Sequence, residues 1–383
     1  MIKKSTIGVA LLLLTILCQA QIPDISKVRT DTAKLEVLRV YINKMNAEEN
    51  TKESVKASRL AWQITQRVPD NGKKSLFAYF MGAAQEFSSQ YDSAVYYHEL
   101  SFNYAKKGSF LKRQLEALKR LQVLYYALGN KSKNDSVIAI LEPLALQTKE
   151  EKEISGVYMV LGNYYETEHS YQKAIDYMLK ALIIIRKSPP NQENQEREGV
   201  LLVNIGNAYN EMGNYKLGIF YLSQGIPLLK TYQYGLAVCF SNMADAYRGL
   251  QKPDSTFSCL QKSLKIAKEI QAEDLLPNIY LELGDYYQQE KQYTTAEKYL
   301  RQALIIGQKL QMNHELIKIH YSYGELTQSL KRYQEARTHY QKALDMAAGL
   351  ENKGLMKGSY EQLAKLEKET GHFPEAYHYL ELS

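Results

Sequence analysis

The sequence contains little cysteine and proline, the residues that are frequent in disulfide-bonded proteins and in the turns of β-rich proteins. Its 383 residues include only 3 Cys, 9 Pro and 1 Trp. Runs that alternate β-branched with polar residues, which mark half-buried strands, are lacking. Three cysteines are too few for a disulfide framework, and we expect Cys239 and Cys259 to be buried free thiols. The lack of strand signals predicts an all-α chain. The content of 45% hydrophobic residues is enough to form a hydrophobic core.

Sequence motifs that carry catalysis or hold cofactors are also missing. There is no phosphate-cradling glycine loop and no Gly-x-Ser-x-Gly elbow. Residues 109–112 match Ser-x-x-Lys without its companion motifs, and His314 and His320 are more than one helical turn apart, unlike paired zinc ligands on a helix. We therefore predict no catalytic residues, no metal site, no cofactor and no enzymatic activity.

The net charge is only weakly positive. Lys and Arg number 48 and Asp and Glu 42, which gives a formal charge of +6. Residues 1–20 contain Lys3 and Lys4 and no acidic residue, so the rest of the chain has 46 basic against 42 acidic residues, or +4. Such a balance does not provide the basic surface that a phosphate backbone requires, and no nucleic-acid partner is expected.

The first twenty residues differ from the rest of the chain. Lys3 and Lys4 precede an apolar run from Ile7 to Leu17, and residues 18–20 supply the small side chains that a signal peptidase reads. This run is too short for a membrane-spanning helix, which takes roughly 20 apolar residues, and no membrane span is expected in the mature chain. We predict that residues 1–20 are a signal peptide and that the chain is exported to the periplasm or cell envelope. A lipid anchor through Cys18 is the alternative.

A small residue recurs about every forty positions and sets the register of the chain. The steps between successive positions are 40, 40, 44, 38, 40, 40 and 40. The marker positions are Gly82, Gln122 (a degraded copy), Gly162, Gly206, Ala244, Gly284, Gly324 and Ala364, with Ile42 as a further candidate. Periodicity of this length is typical of stacked repeats.

Each repeat reads as a helical hairpin. Apolar residues at three- and four-residue spacing give each helix one buried stripe, and short polar turns force antiparallel neighbours. A second small residue follows each marker, as Ala174 follows Gly162. We expect the two small residues to meet where the helices cross, because close approach of helices requires small side chains.

This pattern resembles the tetratricopeptide repeat family over roughly residues 73–383. The family pattern of large residue, Leu-Gly, Tyr, Ala, large residue and Ala is read here at Tyr158, Leu161, Gly162, Tyr165, Ala174, Met178 and Ala181. The resemblance implies an all-α, right-handed superhelical solenoid of about eight or nine antiparallel helix pairs. The period of 40 in place of 34 implies helices about a turn longer.

Three segments complete the predicted organisation. Residues 21–72 are expected to form a leader and a degenerate first helix pair, and residues 73–383 the repeat solenoid. Residues 187–196, which include two prolines, are expected to form one longer irregular connector. The last helix leaves an apolar stripe that a solenoid normally covers, so a partner covering this C-terminal helix is a further expectation.

The candidate binding surface lies on the first helix of each pair. In the family, the residue just after the marker glycine points into a concave groove, and residues one turn away share that face. These residues are Asn163, Glu166, Asn207, Asn210, Asp245, Arg248, Asp285, Gln288, Tyr321 and Glu325. Asn side chains donate and accept at once, so a ladder of them is suited to holding an extended peptide backbone.

The sequence therefore predicts an exported, non-enzymatic scaffold that binds a peptide or protein segment in its groove. The alternative is the periplasmic sensor part of a membrane-bound transcriptional or kinase regulator, because exported arrays of this family often precede a membrane segment and a signalling domain. The identity of the ligand and the oligomeric state are left open by the sequence.

Overall fold

The computed structural model describes residues 21–350 and 352–383, so the predicted signal peptide and Cys18 lie outside the described residues. Within them the chain forms eighteen α-helices, two short 3₁₀ segments and no strand. The helices are α1 (Asp31–Ala47), α2 (Thr51–Thr65), α3 (Asn71–Phe87), α4 (Tyr91–Lys107), α5 (Leu111–Ala127), α6 (Lys131–Ala145), α7 (Glu151–Thr167), α8 (Tyr171–Lys187), α9 (Gln192–Glu211), α10 (Tyr215–Gly225), α11 (Gln233–Gly249), α12 (Pro253–Glu269), α13 (Leu276–Gln289), α14 (Tyr293–Lys309), α15 (Asn313–Ser329), α16 (Tyr333–Gly349), α17 (Lys353–Glu369) and α18 (Phe373–Leu382).

The described residues divide into two compact units, one that ends at residue 161 and one that runs from residue 162 to residue 383. In the first unit α1 packs on α2, α3 on α4 and α5 on α6, and each pair contacts the next. In the second unit the same arrangement runs from α9 with α10 to α17 with α18. Every marker position lies on the first helix of a pair. The predicted all-α fold of repeated helix pairs is therefore confirmed, with nine pairs among the described residues.

Most helix pairs are closed by a turn that contains one residue in the left-handed region. Non-glycine residues adopt this conformation at nine described positions, among them Lys291 with φ of 58°. The following amide then bonds back to the carbonyl five residues earlier, as the amide of Gln292 does to Tyr287 at 2.8 Å. This arrangement satisfies the free carbonyls at a helix end, and it ends the first helix so abruptly that the second must run antiparallel.

The marker glycines receive a large side chain from the second helix of the pair. A Cβ atom added to Gly162 would stand 2.6 Å from Cγ of Met178, and one added to Gly284 would stand 2.7 Å from Cγ of Leu300. The residue sixteen positions after the marker fills this place in both pairs. The expectation that two small residues meet at the crossing was therefore incomplete, because the glycine accommodates a bulky side chain that is itself fully buried.

The segment expected as a long connector is mostly helical. Helix α8 ends at Lys187 and α9 begins at Gln192. The side chain of Asn191 accepts a hydrogen bond from the amide of Asn194 at 2.8 Å, and the side chain of Gln192 donates to Glu196 at 2.9 Å. Because Asn is a strong N-cap residue, the helix starts there and absorbs the polar residues that the sequence analysis assigned to a loop.

Both described cysteines are buried and unbonded, as expected. The thiol of Cys239 donates to the carbonyl of Leu222 at 3.4 Å, and burial raises the pKa of Cys239 to about 12. Among the described residues no helix has the length and apolar character needed to cross a membrane. The division of residues 21–383 into a leader, first pair and solenoid remains a prediction, although α1 and α2 form a full pair whose core includes Leu38, Tyr41 and Ile42.

Candidate functional site

The second unit contains a cleft of about 690 Å³ lined mainly by four consecutive first helices, α9, α11, α13 and α15. Six of the ten predicted groove residues line it, namely Asn207, Asn210, Asp245, Arg248, Asp285 and Tyr321. The other four, Asn163, Glu166, Gln288 and Glu325, do not line it. The cleft exists because the first helix of each pair presents the same face, and the residues after the marker are polar.

The predicted asparagine ladder is engaged within the protein. Asn204 donates to Oδ1 of Asn163 at 3.1 Å, and Asn207 donates to Oε1 of Glu166 at 2.8 Å. Asn210 donates to the carbonyl of Asn242 at 2.8 Å. These bonds connect neighbouring first helices, so part of the hydrogen-bonding capacity that the sequence assigned to a ligand serves to fix the spacing of the repeats.

Arg248 lines the cleft and lies among three carboxyl groups. Its Nη1 atom is 3.0 Å from Oε2 of Glu282 and 3.8 Å from Oδ2 of Asp285. Its Nη2 atom contacts Asp245, which lies one turn earlier on the same helix. We call Asp245, Glu282 and Asp285 the acidic well. One guanidinium therefore faces three carboxyl groups in a place that is largely shielded from water.

Burial governs the ionisation of the acidic well. It raises the pKa of Glu282 well above its usual value, and the neighbouring Asp245 adds to the effect. It raises the pKa of Asp285 to about 6, against the opposing hydrogen bond from Ser322 and the charge of Arg248. Burial alone would lower the pKa of Arg248, but the carboxyl groups around it outweigh burial and raise that pKa.

Tyr321 and Lys318 form the α15 wall of the cleft. The hydroxyl of Tyr321 donates to the carbonyl of Leu355 at 2.6 Å and is also 2.6 Å from the hydroxyl of Ser359. This anchors the ring of Tyr321 against α17. Lys318 lies three positions before Tyr321 and is exposed. The wall thus combines a fixed aromatic ring with a solvent-exposed cation.

The most buried acid in the cleft, Glu282, was missed by the sequence analysis. It is 8% exposed and lies three positions before Asp285, hence on the same face of α13. That spacing was the available signal, but the predicted groove residues were taken from other positions of the face. Leu281, four positions before Asp285, also lines the cleft. The prediction also missed Asn242, Asn278 and Ser322. They lie three positions before Asp245, Leu281 and Glu325, and therefore on the same helix face as these residues.

The comparison with protein families supports the repeat register. A sequence model of the tetratricopeptide repeat family matches residues 235–309 and 275–349, which include the pairs that line most of the cleft. No curated protein matches the chain. Among the described residues no group of three or more His, Cys, Asp or Glu side chains is placed to hold a metal ion.

Solved structures of several helical-repeat proteins resemble the chain. The apo form of the quorum sensor NprR from B. thuringiensis is 15% identical, with a TM-score of 0.68, over 84% of this chain and 90% of that one. Aspartyl phosphate phosphatase F from Bacillus subtilis is 12% identical, with a TM-score of 0.59, over 95% and 94%. The Rap conjugation gene regulator of the plasmid pLS20, in complex with the Phr* peptide, is 16% identical, with a TM-score of 0.55, over 81% and 86%. At these identities the likeness shows the fold.

Proposed function

The chain is a tetratricopeptide repeat protein, and we propose that it binds a peptide or an extended protein segment in the cleft of its second unit. The observation that carries this proposal is the continuity of the cleft across α9, α11, α13 and α15. The cleft presents the same helix face several times along its length. An extended peptide has a backbone that repeats in the same way, so it is suited to bind along such a surface.

The cleft provides groups of the kind that peptides require. Asn278 and Asn242 present amide groups, Ser322 presents a hydroxyl, and Leu281 and Tyr321 add apolar surface. One of the similar structures is a complex with a peptide, and another is of a quorum sensor. These likenesses support a binding role for the scaffold, and we propose that the chain is not an enzyme.

Selection of peptides from a displayed random library on residues 21–383 tests the proposal. We expect the selected peptides to lose at least about tenfold in affinity, or 1.4 kcal/mol, when Asn278→Trp fills the cleft. Asn313→Trp, at an exposed position at the start of α15, is the matched control and should leave affinity unchanged. A library that yields no binder, or binders indifferent to Asn278→Trp, would contradict the cleft as the peptide site.

We further propose that the chain acts outside the cytoplasm, with residues 1–20 as its signal peptide. A fusion of residues 1–60 to a reporter enzyme that is active only after export should be active, and deletion of residues 3–17 should abolish that activity. Incorporation of labelled fatty acid that is lost in Cys18→Ser would instead support a lipid anchor. The sensor role is the second candidate function, favoured by the likeness to a quorum sensor, and it predicts that a selected peptide changes the binding of a signalling partner.

A further inference from the structure

The acidic well has a deficit of positive charge. Its three carboxyl groups face a single guanidinium, that of Arg248, whose contacts to Glu282 and Asp285 are 3.0 and 3.8 Å long. Glu282 is 8% exposed, and its Oε2 atom accepts no aligned hydrogen bond although Nη1 of Arg248 lies beside it. This oxygen shares Arg248 with Asp245 and Asp285, and buried carboxyl groups that outnumber their cationic partners are costly, so the acidic well is short of one cationic partner.

We propose, on the premise that the cleft binds a peptide, that the acidic well receives the guanidinium or ammonium group of an arginine or lysine side chain of that peptide. The geometry suits such a group, because the side chains of Asp245 and Asp285, which line the cleft, are 30% and 26% exposed, while Glu282 lies deeper. A ligand cation would meet carboxylate oxygens on two neighbouring helices, α11 and α13.

The charges around the well favour a cation over an anion. From α11 it is faced by Asp245 and Arg248, and from α13 by Glu282 and Asp285. From α15, Glu325 adds a further negative charge near Asp285, and Ser322 donates a hydrogen bond to it. Tyr215 lies near Arg248 and Glu211 lines the same cleft. Lys318 is the other cation of the cleft, and it stands at the α15 wall.

In the free chain a proton offsets part of this negative charge. Burial raises the pKa of Glu282 well above its usual value, and the neighbouring Asp245 adds to this rise, so the free chain favours a proton on that carboxyl group. A bound ligand cation would take over the role of that proton, since it compensates the same charge. Binding of the cation is therefore coupled to release of a proton. The affinity should also rise with pH through the titration of Asp285, near 6, because its carboxylate attracts the cation only when it is ionised.

The test uses blocked pentapeptides of the form acetyl-Ala-Ser-X-Ser-Ala-amide, in which X is arginine, lysine or citrulline. Citrulline keeps the shape of arginine and removes its charge. By isothermal titration we expect the arginine and lysine peptides to bind residues 21–383 at least about tenfold more tightly than the citrulline peptide. The preference should grow between one pH unit below and one above the pKa of Asp285, about 6, and titration in buffers of different ionisation enthalpy should report proton release.

Three variants separate the acidic well from general charge effects. Asp285→Asn and Glu282→Gln should each reduce the preference for arginine over citrulline at least about fivefold, or roughly 1 kcal/mol. Glu273→Gln, which removes a carboxylate paired with Lys309 outside the cleft, should leave the preference intact. Asp285→Asn is the more conservative change, because Asp285 is less buried than Glu282.

Equal affinity for the arginine and citrulline peptides, or no binding by any of the three, would overturn the inference. It would leave the proposed function standing if library peptides that lack Arg and Lys still bind and are still blocked by Asn278→Trp. Conversely, an arginine preference that Glu273→Gln removes and Asp285→Asn does not would place the cation outside the acidic well.

Discussion

The ring of Tyr340 on α16 covers Gly324 on α15 so closely that a Cβ atom added to Gly324 would stand 2.3 Å from Cε1 of the ring. Tyr340 is fully buried, and its hydroxyl is bonded to Oε1 of Gln328 at 3.0 Å. The ring is therefore held at both its face and its tip. The same relation, a marker glycine under the residue sixteen positions later, recurs for Gly206 with Leu222.

The first prediction follows from this contact. Gly324→Ala should lower the free energy of unfolding by about 1–3 kcal/mol, since an added methyl group forces a fixed ring to move in a close-packed site. Gly349→Ala is the control, because a Cβ atom there would meet nothing within 4 Å, and alanine in a helix should stabilise by about 0.5–1 kcal/mol. Urea unfolding followed by circular dichroism measures both. Equal effects of the two changes would show that Tyr340 does not hold α15 and α16 together.

The second prediction concerns the turn between α13 and α14. Lys291 adopts φ of 58°, a conformation that costs a side-chain-bearing residue about 1–2 kcal/mol. Lys291→Gly should therefore raise the free energy of unfolding by about 0.5–1 kcal/mol, after allowing for the greater freedom of glycine in the unfolded chain.

The matched change runs in the opposite direction. Gly213 has φ of 73° and open space around it, so Gly213→Ala should destabilise by about 1 kcal/mol through backbone strain alone. Thermal unfolding of both variants tests the pair. A loss of stability in Lys291→Gly would mean that its side chain contributes contacts that outweigh the strain.

The repeat fold was predictable because its determinants are local in sequence. The marker at Gly284, the large residue at Leu300 and the turn at Lys291 lie within one helix pair, so their spacing alone specifies a hairpin. Part of the candidate site was predictable for the same reason, because Asp245 and Arg248 lie one turn apart on α11. The sequence could therefore place both residues on one face.

The remaining features depend on how one pair lies against the next. The bond from Asn204 to Asn163 joins residues 41 positions apart, and Arg248 meets Glu282 across 34 positions. The helical period does not determine which residues so far apart in the sequence come into contact. The number of residues in each turn and the side chains between pairs set these contacts. For that reason the sequence pattern left the asparagines free for a ligand and did not reveal Glu282.

The third prediction concerns His98 on α4, which occupies the place of a large apolar residue over Gly82 in the first unit. Its Nε2 atom is 2.7 Å from Oε1 of Glu86, and its Nδ1 atom is buried without a partner. Burial lowers the pKa of His98, and the hydrogen bond to Glu86 offsets this only in part. The neutral ring therefore donates from Nε2, and protonation at Nδ1 is disfavoured in the folded chain.

The sign of the pH effect follows from that lowered pKa. The unfolded chain takes up a proton near pH 6.5 while the folded chain does not, so His98 makes the protein less stable as the pH falls below about 6.5. His98→Met introduces the residue found at the equivalent position of α8, Met178. The variant should lose stability more slowly than the parent between about pH 7 and pH 5, in urea titrations at each pH. An unchanged difference between variant and parent across that range would refute the effect, and replacement of the exposed His378 is the control.

The fourth prediction decides what Asn207 does. Its side chain donates to Glu166 at 2.8 Å, and burial raises the pKa of Glu166 while this hydrogen bond opposes the rise. If Asn207 connects α9 to α7, Asn207→Ala should cost about 1 kcal/mol of unfolding free energy in the absence of any ligand, because a partly buried carboxylate loses its donor. If the residue serves only a ligand, stability should not change and affinity alone should fall.

A double-mutant cycle with Glu166→Gln measures how much the hydrogen bond between Asn207 and Glu166 contributes to stability. We expect a coupling energy of at least about 0.5 kcal/mol between the two positions, since residues in one hydrogen bond are not additive. Asn313→Ala, an exposed asparagine of the same unit, should be neutral in the same assay. Additive effects of Asn207→Ala and Glu166→Gln would show that the bond contributes nothing, and Asn207 would then be available to a peptide in the cleft, as the sequence pattern first suggested.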